Sequence, residues 1–100
     1  MQPRLFLDVD PRRLHLPPSR ITGADPLKLQ RQIARFGKAM QGMPTIEVSR
    51  DSVGELMING GVTRATRIAK LLPGVMVRVE VIDDYPAAFG HLPTIGDMVP

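Results

Sequence analysis

Leu56-Met57-Ile58-Asn59-Gly60-Gly61-Val62-Thr63-Arg64-Ala65-Thr66-Arg67-Ile68-Ala69-Lys70-Leu71-Leu72 is the stretch that decides the fold. Leu56-Met57-Ile58 is short, apolar and strand-like. From Val62 the apolar period changes: Ala65, Ile68, Ala69 and Leu72 recur at helical spacing. Between the two periods sit Gly60 and Gly61, read here as two residues that supply backbone angles closed to other side chains. A strand that turns through glycine into a helix exposes free backbone N–H groups at the helix start, where the helix dipole is positive.

The flanking segments extend the same pattern. Thr45-Ile46-Glu47-Val48-Ser49 alternates as a strand, and Asp51-Ser52-Val53-Gly54 turns it back toward residues 56–58 as an antiparallel hairpin. Pro73-Gly74 ends the second helix, and residues 75–82 carry four valines on one face. Toward the N-terminus, Leu5, Leu7 and Val9 alternate on a first strand that Asp10-Pro11 ends. Residues 12–20 read as loop, broken by Pro17-Pro18. Asp25-Pro26 caps and starts a first helix whose apolar stripe is Leu29, Ile33, Phe36 and Met40, with Leu27 and Ala34 beside it. Gly42 and Pro44 stop it.

The expected order is β-loop-α-β-β-α-β. This is an α/β chain of the α+β kind: a small mixed sheet with two main helices on one face. Residues 1–83 form the domain. Residues 84–100, with Pro86, Pro93, Pro100, Gly90 and Gly96, form an irregular tail packed on it or trailing from it.

Composition narrows the chemistry. A chain of 100 residues with 43% hydrophobic residues can build one core unaided. The absence of Cys excludes disulfides, Cys-ligated zinc and thiol catalysis. Only Phe6, Phe36, Phe89 and Tyr85 are aromatic, too few for a base-stacking RNA platform. Net charge is +3, and Lys occurs only at Lys28, Lys38 and Lys70, so Arg carries most of the positive charge. Arginine bonds phosphate through a planar fork, which lysine cannot do. No apolar run reaches membrane-span length, and Asp8 and Asp10 interrupt any signal-like segment after Met1-Gln2-Pro3-Arg4. The expected location is cytoplasmic, with no membrane partner; secretion as part of a larger toxin stays open.

The residues themselves nominate one site. Asn59, Gly60, Gly61, Thr63, Arg64 and Arg67 make a candidate anion cradle. Arg64 and Arg67 lie about 60° apart on the helix, away from the Ala65, Ile68 and Leu72 stripe. The plain alternative is a strand-turn-helix with two solvated arginines. His15 and Glu47 are the candidates for acid–base catalysis. The two histidines, His15 and His91, have no carboxylate at ligand spacing, so no metal site is assigned. Glu80 reads as half of an ion pair, Asp83-Asp84 as a charged turn, and Met40, Met43, Met57 and Met76 as core.

From Met43-Pro44-Thr45-Ile46-Glu47-Val48, Leu56-Met57-Ile58-Asn59-Gly60, Gly61-Val62-Thr63-Arg64 and Ala69-Lys70-Leu71-Leu72, the chain resembles the ParB/sulfiredoxin-like domain over residues 5–83. The shared features are a Pro-entered strand hairpin, a Gly-x-x-Arg helix and a final Val-rich strand. Chromosome-partitioning members carry Gly-Glu-Arg-Arg-x-Arg to grip CTP. Here Val62, Thr63 and Thr66 stand in place of the charged residues, so CTP-driven clamping is not expected. Sulfiredoxin chemistry needs a Cys that is absent. The resemblance implies a module that binds phosphate of a nucleic acid or nucleotide, with phosphodiesterase activity of a nuclease-type toxin, and then Mg²⁺, as an extension. It also implies that His15 lies near the glycine turn. The alternatives are an inert protein-interaction module that kept the fold, and a nucleotide-dependent transferase.

Overall fold

Asp25 accepts hydrogen bonds from the N–H groups of Leu27 and Lys28, which holds the start of helix α1 (Pro26–Phe36) and pulls its own carboxyl below the usual range. The computed structural model describes residues 3–99; Met1, Gln2 and Pro100, at the outer ends of the expected domain and tail, lie outside the described residues. The other elements are strands β1 (Leu5–Val9), β2 (Ile46–Arg50), β3 (Leu56–Gly60) and β4 (Val77–Asp84), helix α2 (Val62–Leu71) and a short helix α3 (Ile95–Met98). Two 3-10 turns, Pro11–Arg13 and Pro18–Arg20, interrupt the first loop.

The sheet order is β1-β4-β2-β3. β2 and β3 form the expected antiparallel hairpin, β4 runs parallel to β2, and β1 is antiparallel to β4. The chain is thus a small α+β domain built on a mixed sheet with two main helices. Ile46 and Val48 on β2, Ile58 on β3, and Val77 and Val79 on β4 turn inward against Ala65, Ile68 and Ala69 of α2. Period two on the strands meets period 3.6 on the helix, and both apolar faces are dried at once.

Two segments read as irregular are also inside. Leu14 and Leu16 of the first loop are completely buried, and Phe89, Leu92, Ile95 and Val99 pack from the tail. The loop covers the outer edge of β3: the His15 N–H donates to the Leu56 carbonyl, and the Ile58 N–H donates to the His15 carbonyl. The tail pairs with the other side of the loop, with Leu16 N–H donating to Pro93 and Ile95 N–H to Leu14. Buried Asp51 fastens the tail to the β2–β3 turn, accepting from the N–H groups of Val53, Glu55 and Phe89. The tail is therefore part of the core and does not trail.

Four local expectations are corrected. Helix α1 ends at Phe36 because Gly37 takes a positive φ of +54°, so Met40 packs on the core from a loop. No residue of α1 is buried, and Leu27 and Phe36 are exposed: the helix leans on α2 by one edge and its stripe is not core. Strand β4 starts at Val77, not Val75, because Val75 N–H closes a turn onto Leu72 and Gly74 carries a φ of +86°. Met76 lies exposed before that strand and is not a core residue. Glu80 does pair, with Arg4 at 2.9 Å, and Asp84 pairs with Arg50 at 3.0 Å.

Candidate functional site

The site forms where β3 hands over to α2. Glu47 of β2 faces Gly60, but Val48 faces Ile58, so Asn59 is an extra residue on β3. Such a bulge bends a strand end and re-aims the residues after it. Gly60 itself is ordinary extended backbone and not one of the positive-φ glycines; its contribution is room, since a Cβ there would come within 3.3 Å of Glu47 Oε1. The unusual angles belong to Gly61 alone, with φ +109° and ψ 24°. This corrects the expectation that both glycines supply special angles.

Gly61 is the N-cap of α2, and no side chain caps that helix. The first-turn residues Val62, Thr63 and Arg64 line an open cleft of about 640 Å³ with Asn59, Gly60 and Gly61. Across the cleft stand Arg20 from the second 3-10 turn and Lys28 and Gln32 from α1. Among the described residues no carboxylate lines it. Asp25, just outside, partly offsets Arg20 and Lys28. An uncapped helix start that carries Arg64 and faces Arg20 and Lys28 from two other segments creates a field that favours an anion.

Arg64 curls back over the turn. Its Nη2 would lie 2.8 Å from a Cβ on Gly61, and it reaches the Thr45 carbonyl at 3.5 Å. Asn59 gives its amide N–H to Ser49 Oγ at 2.8 Å, which holds it at the rim. Thr63 lines the cleft wall.

Arg67 is placed differently from its expected role. It is only 2% exposed, so it is not a solvated partner of Arg64. Its Nη1 donates to the carbonyls of Gly37 and Ala39, both at 2.8 Å, just past the end of α1. Its guanidinium lies 5.4 Å from the centre of the Phe36 ring. A cation at a helix C-terminus satisfies stranded carbonyls and opposes the negative dipole end. Burial lowers the Arg67 guanidinium from its ordinary range. The rotation that separates it from Arg64 carries it under the surface, because the carbonyls it meets come from α1, far away in sequence.

His15 is also misplaced by the sequence reading. It pairs with Met57, four positions before Gly61, and not with the turn. Its Nδ1 donates to the Leu92 carbonyl at 2.8 Å and its Nε2 lies 3.2 Å from Glu55, so the buried ring joins loop, hairpin and tail. Glu47, in contrast, is exposed and stands beside Gly60. Arg20, Lys28 and Gln32 were missed as site residues. Their only sequence signal was a pair of cations on either side of the Asp25-Pro26 cap.

No three metal-ligating side chains converge among the described residues. No helix of the described residues is long and apolar enough to cross a membrane. The chain matches no protein-family model, no curated protein and no solved structure.

Proposed function

We propose that this chain is a phosphate-binding module, taking the phosphate of a nucleotide or nucleic acid at the start of α2. The observation that carries this reading is the meeting of Arg20, Lys28 and Arg64 around an uncapped helix N-terminus in a cleft without a carboxylate. Phosphate oxygens would accept from the first-turn N–H groups and from the Arg64 guanidinium. Arg20 and Lys28 would close the far side as less directional charges. Gly61 leaves room for the Arg64 guanidinium to lie against the turn. The likeness of Gly61-Val62-Thr63-Arg64 to the Gly-x-x-Arg helix of ParB/sulfiredoxin-like domains supports the same assignment.

The test is a titration of amide resonances with phosphate, CTP, ATP and a short oligonucleotide. Shifts should begin at Gly60, Gly61, Val62 and Thr63. Shifts scattered over every arginine with these four unmoved would leave only a basic surface and remove the site.

A nuclease reading rests on Glu47, whose Oε1 lies beside Gly60 although Glu47 does not line the cleft; it is the candidate to accept a proton from an attacking water. Plasmid DNA and RNA incubated with the protein, with and without Mg²⁺ or Mn²⁺, test it. Cleavage that disappears in Glu47→Gln supports the reading; intact substrates under every condition return the chain to binding alone.

A further inference from the structure

A second, smaller pocket of about 230 Å³ lies behind Arg64, between α1, the connection at residues 37–44 and α2. Gln32 and Arg64 line both this pocket and the cleft, so the two are neighbours through a shared wall. Arg67 forms its floor with Phe36, Met43 and Pro44 at the sides. Among the described residues no carboxylate lines it, and neither Arg64 nor Arg67 has an acidic partner.

That composition is costly without an occupant. A buried guanidinium needs a counter-charge or a full set of acceptors, and the two carbonyls on Arg67 Nη1, the Met43 sulfur 3.5 Å from Nη2 and the Phe36 ring supply only part of the set. Among the described residues the buried side-chain polar atoms without a partner are Gln32 Oε1, Arg64 Nε and Arg67 Nε. All three belong to residues of this pocket wall. Buried polar groups are ordinarily satisfied, so unmet hydrogen bonding concentrated around one cavity marks a place where a ligand belongs.

We propose that this pocket is a second anion subsite, and that the ligand is a compact molecule carrying two anionic groups, one at the Gly61 turn and one beside Arg67. The inference rests on the phosphate cradle proposed above for its first group. Arg64 stands between the two groups and serves both. Nη2 and Nε both lie against the Gly61 turn, and a rotation of the guanidinium would turn Nε toward the second group. The volume of about 230 Å³ admits a small anionic group and not a polymer backbone, and Met43 and the Phe36 ring lower the local dielectric, which strengthens its pairing with the guanidinium groups.

The experiment compares orthophosphate, pyrophosphate and phosphonoacetate on ¹⁵N-labelled protein, reading backbone amides and the arginine Nε–H resonances. Pyrophosphate or phosphonoacetate should bind at least ~10-fold more tightly than orthophosphate, as one further charge-assisted contact implies. Whichever binds better identifies the second group as phosphate or carboxylate. Either should move Arg67 Nε–H and the amides of Gln41, Gly42 and Met43. In Arg67→Gln the preference should collapse while orthophosphate affinity stays. In Gly61→Val both affinities should fall, but Arg67 Nε–H should still respond at high pyrophosphate. Should Arg67→Gln not fold, Phe36→Trp replaces it as a reporter: the protein has no Trp, and its fluorescence should respond to pyrophosphate and not to orthophosphate. Shifts at Gly61 without preference for the doubly anionic probes, and without movement of Arg67 Nε–H, overturn the second subsite and leave the cradle standing. Silence at both places overturns both.

Discussion

The Arg64 guanidinium lies directly against Gly61: a Cβ on that glycine would sit 2.8 Å from Nη2 and 3.2 Å from Nε. The two residues are three apart on the chain, and the helix turn folds one over the other. The glycine is thus required twice, for a left-handed backbone angle of φ +109° and for the space the guanidinium occupies.

Gly61→Ala should therefore cost stability and binding together. Left-handed backbone alone costs an L-residue roughly 1–2 kcal/mol. For a domain of this size that is a fall in Tm of several degrees, about 4–8 °C per kcal/mol. Thermal unfolding should show it, and phosphate titration should show a further loss because Arg64 must swing away. Gly60→Ala should be milder, since its backbone is ordinary and only the flexible Glu47 side chain must yield.

Arg64→Ala should weaken phosphate binding by about tenfold to a hundredfold, corresponding to a charge-assisted contact of roughly 1.5–3 kcal/mol. Arg64→Lys should restore only part of it, because an ammonium cannot both lie over Gly61 and present a fork. Isothermal titration with the best of the phosphate ligands measures the difference. Equal affinities for Lys and Arg would show that charge alone matters.

Arg67→Met should act on stability first. It leaves the carbonyls of Gly37 and Ala39 without their donor just past the end of α1. A fully buried abandoned acceptor costs about 1–3 kcal/mol, and these carbonyls, on half-buried Gly37 and exposed Ala39, fall at the low end, offset in part by removing a desolvated charge. Denaturant unfolding should give a lower midpoint, and hydrogen exchange should quicken in the last turn of α1 ahead of the rest. An unchanged or raised midpoint would mean that desolvation of the guanidinium outweighs its bonds.

Asp51 sets an acid limit on the fold. Burial opposes its ionisation, but the N–H groups of Phe89, Glu55 and Val53 outweigh burial and hold its carboxyl below the usual range. A carboxyl with a lowered folded-state pKa stabilises the fold above its unfolded pKa of about 4. That contribution is lost as pH falls through the folded value. Asp51→Asn should be less stable than the parent at pH 7, and the gap should close on acidification below about pH 4. Unfolding midpoints of both proteins across pH 2–8 would show it; a gap that widens in acid contradicts it. The 85–99 segment should loosen first, because Phe89 loses its anchor.

The strands, the hairpin, the Asp25 cap and the α2 stripe were legible in the order of residues, because each is written in a local period or a local hydrogen bond. So was the glycine turn, since a strand period that becomes a helix period needs a permissive residue between. The apolar stripe of α1 was legible too, but it misled: amphipathicity states which face is greasy and not how much of it finds a partner. Leu14, Leu16, Phe89 and Ile95 gave no periodic signal, yet all are buried, because segments from opposite ends of the chain pair through His15, Leu16, Pro93 and Ile95.

The division between chain and fold is sharpest at the two arginines. The sequence alone determined that Arg64 and Arg67 lie side by side on one helix, because helical rotation is a property of the backbone. It also determined that the turn before them needs glycine. Only the tertiary structure decided that Arg64 lies over Gly61 in an open cleft while Arg67 is sealed beneath Phe36 and the Gly37 and Ala39 carbonyls. It also brought Arg20 and Lys28 to the same cleft. Burial and the meeting of charges depend on which distant segment arrives above a given face. That is settled by the packing of α1 on α2, and no spacing within either helix encodes it.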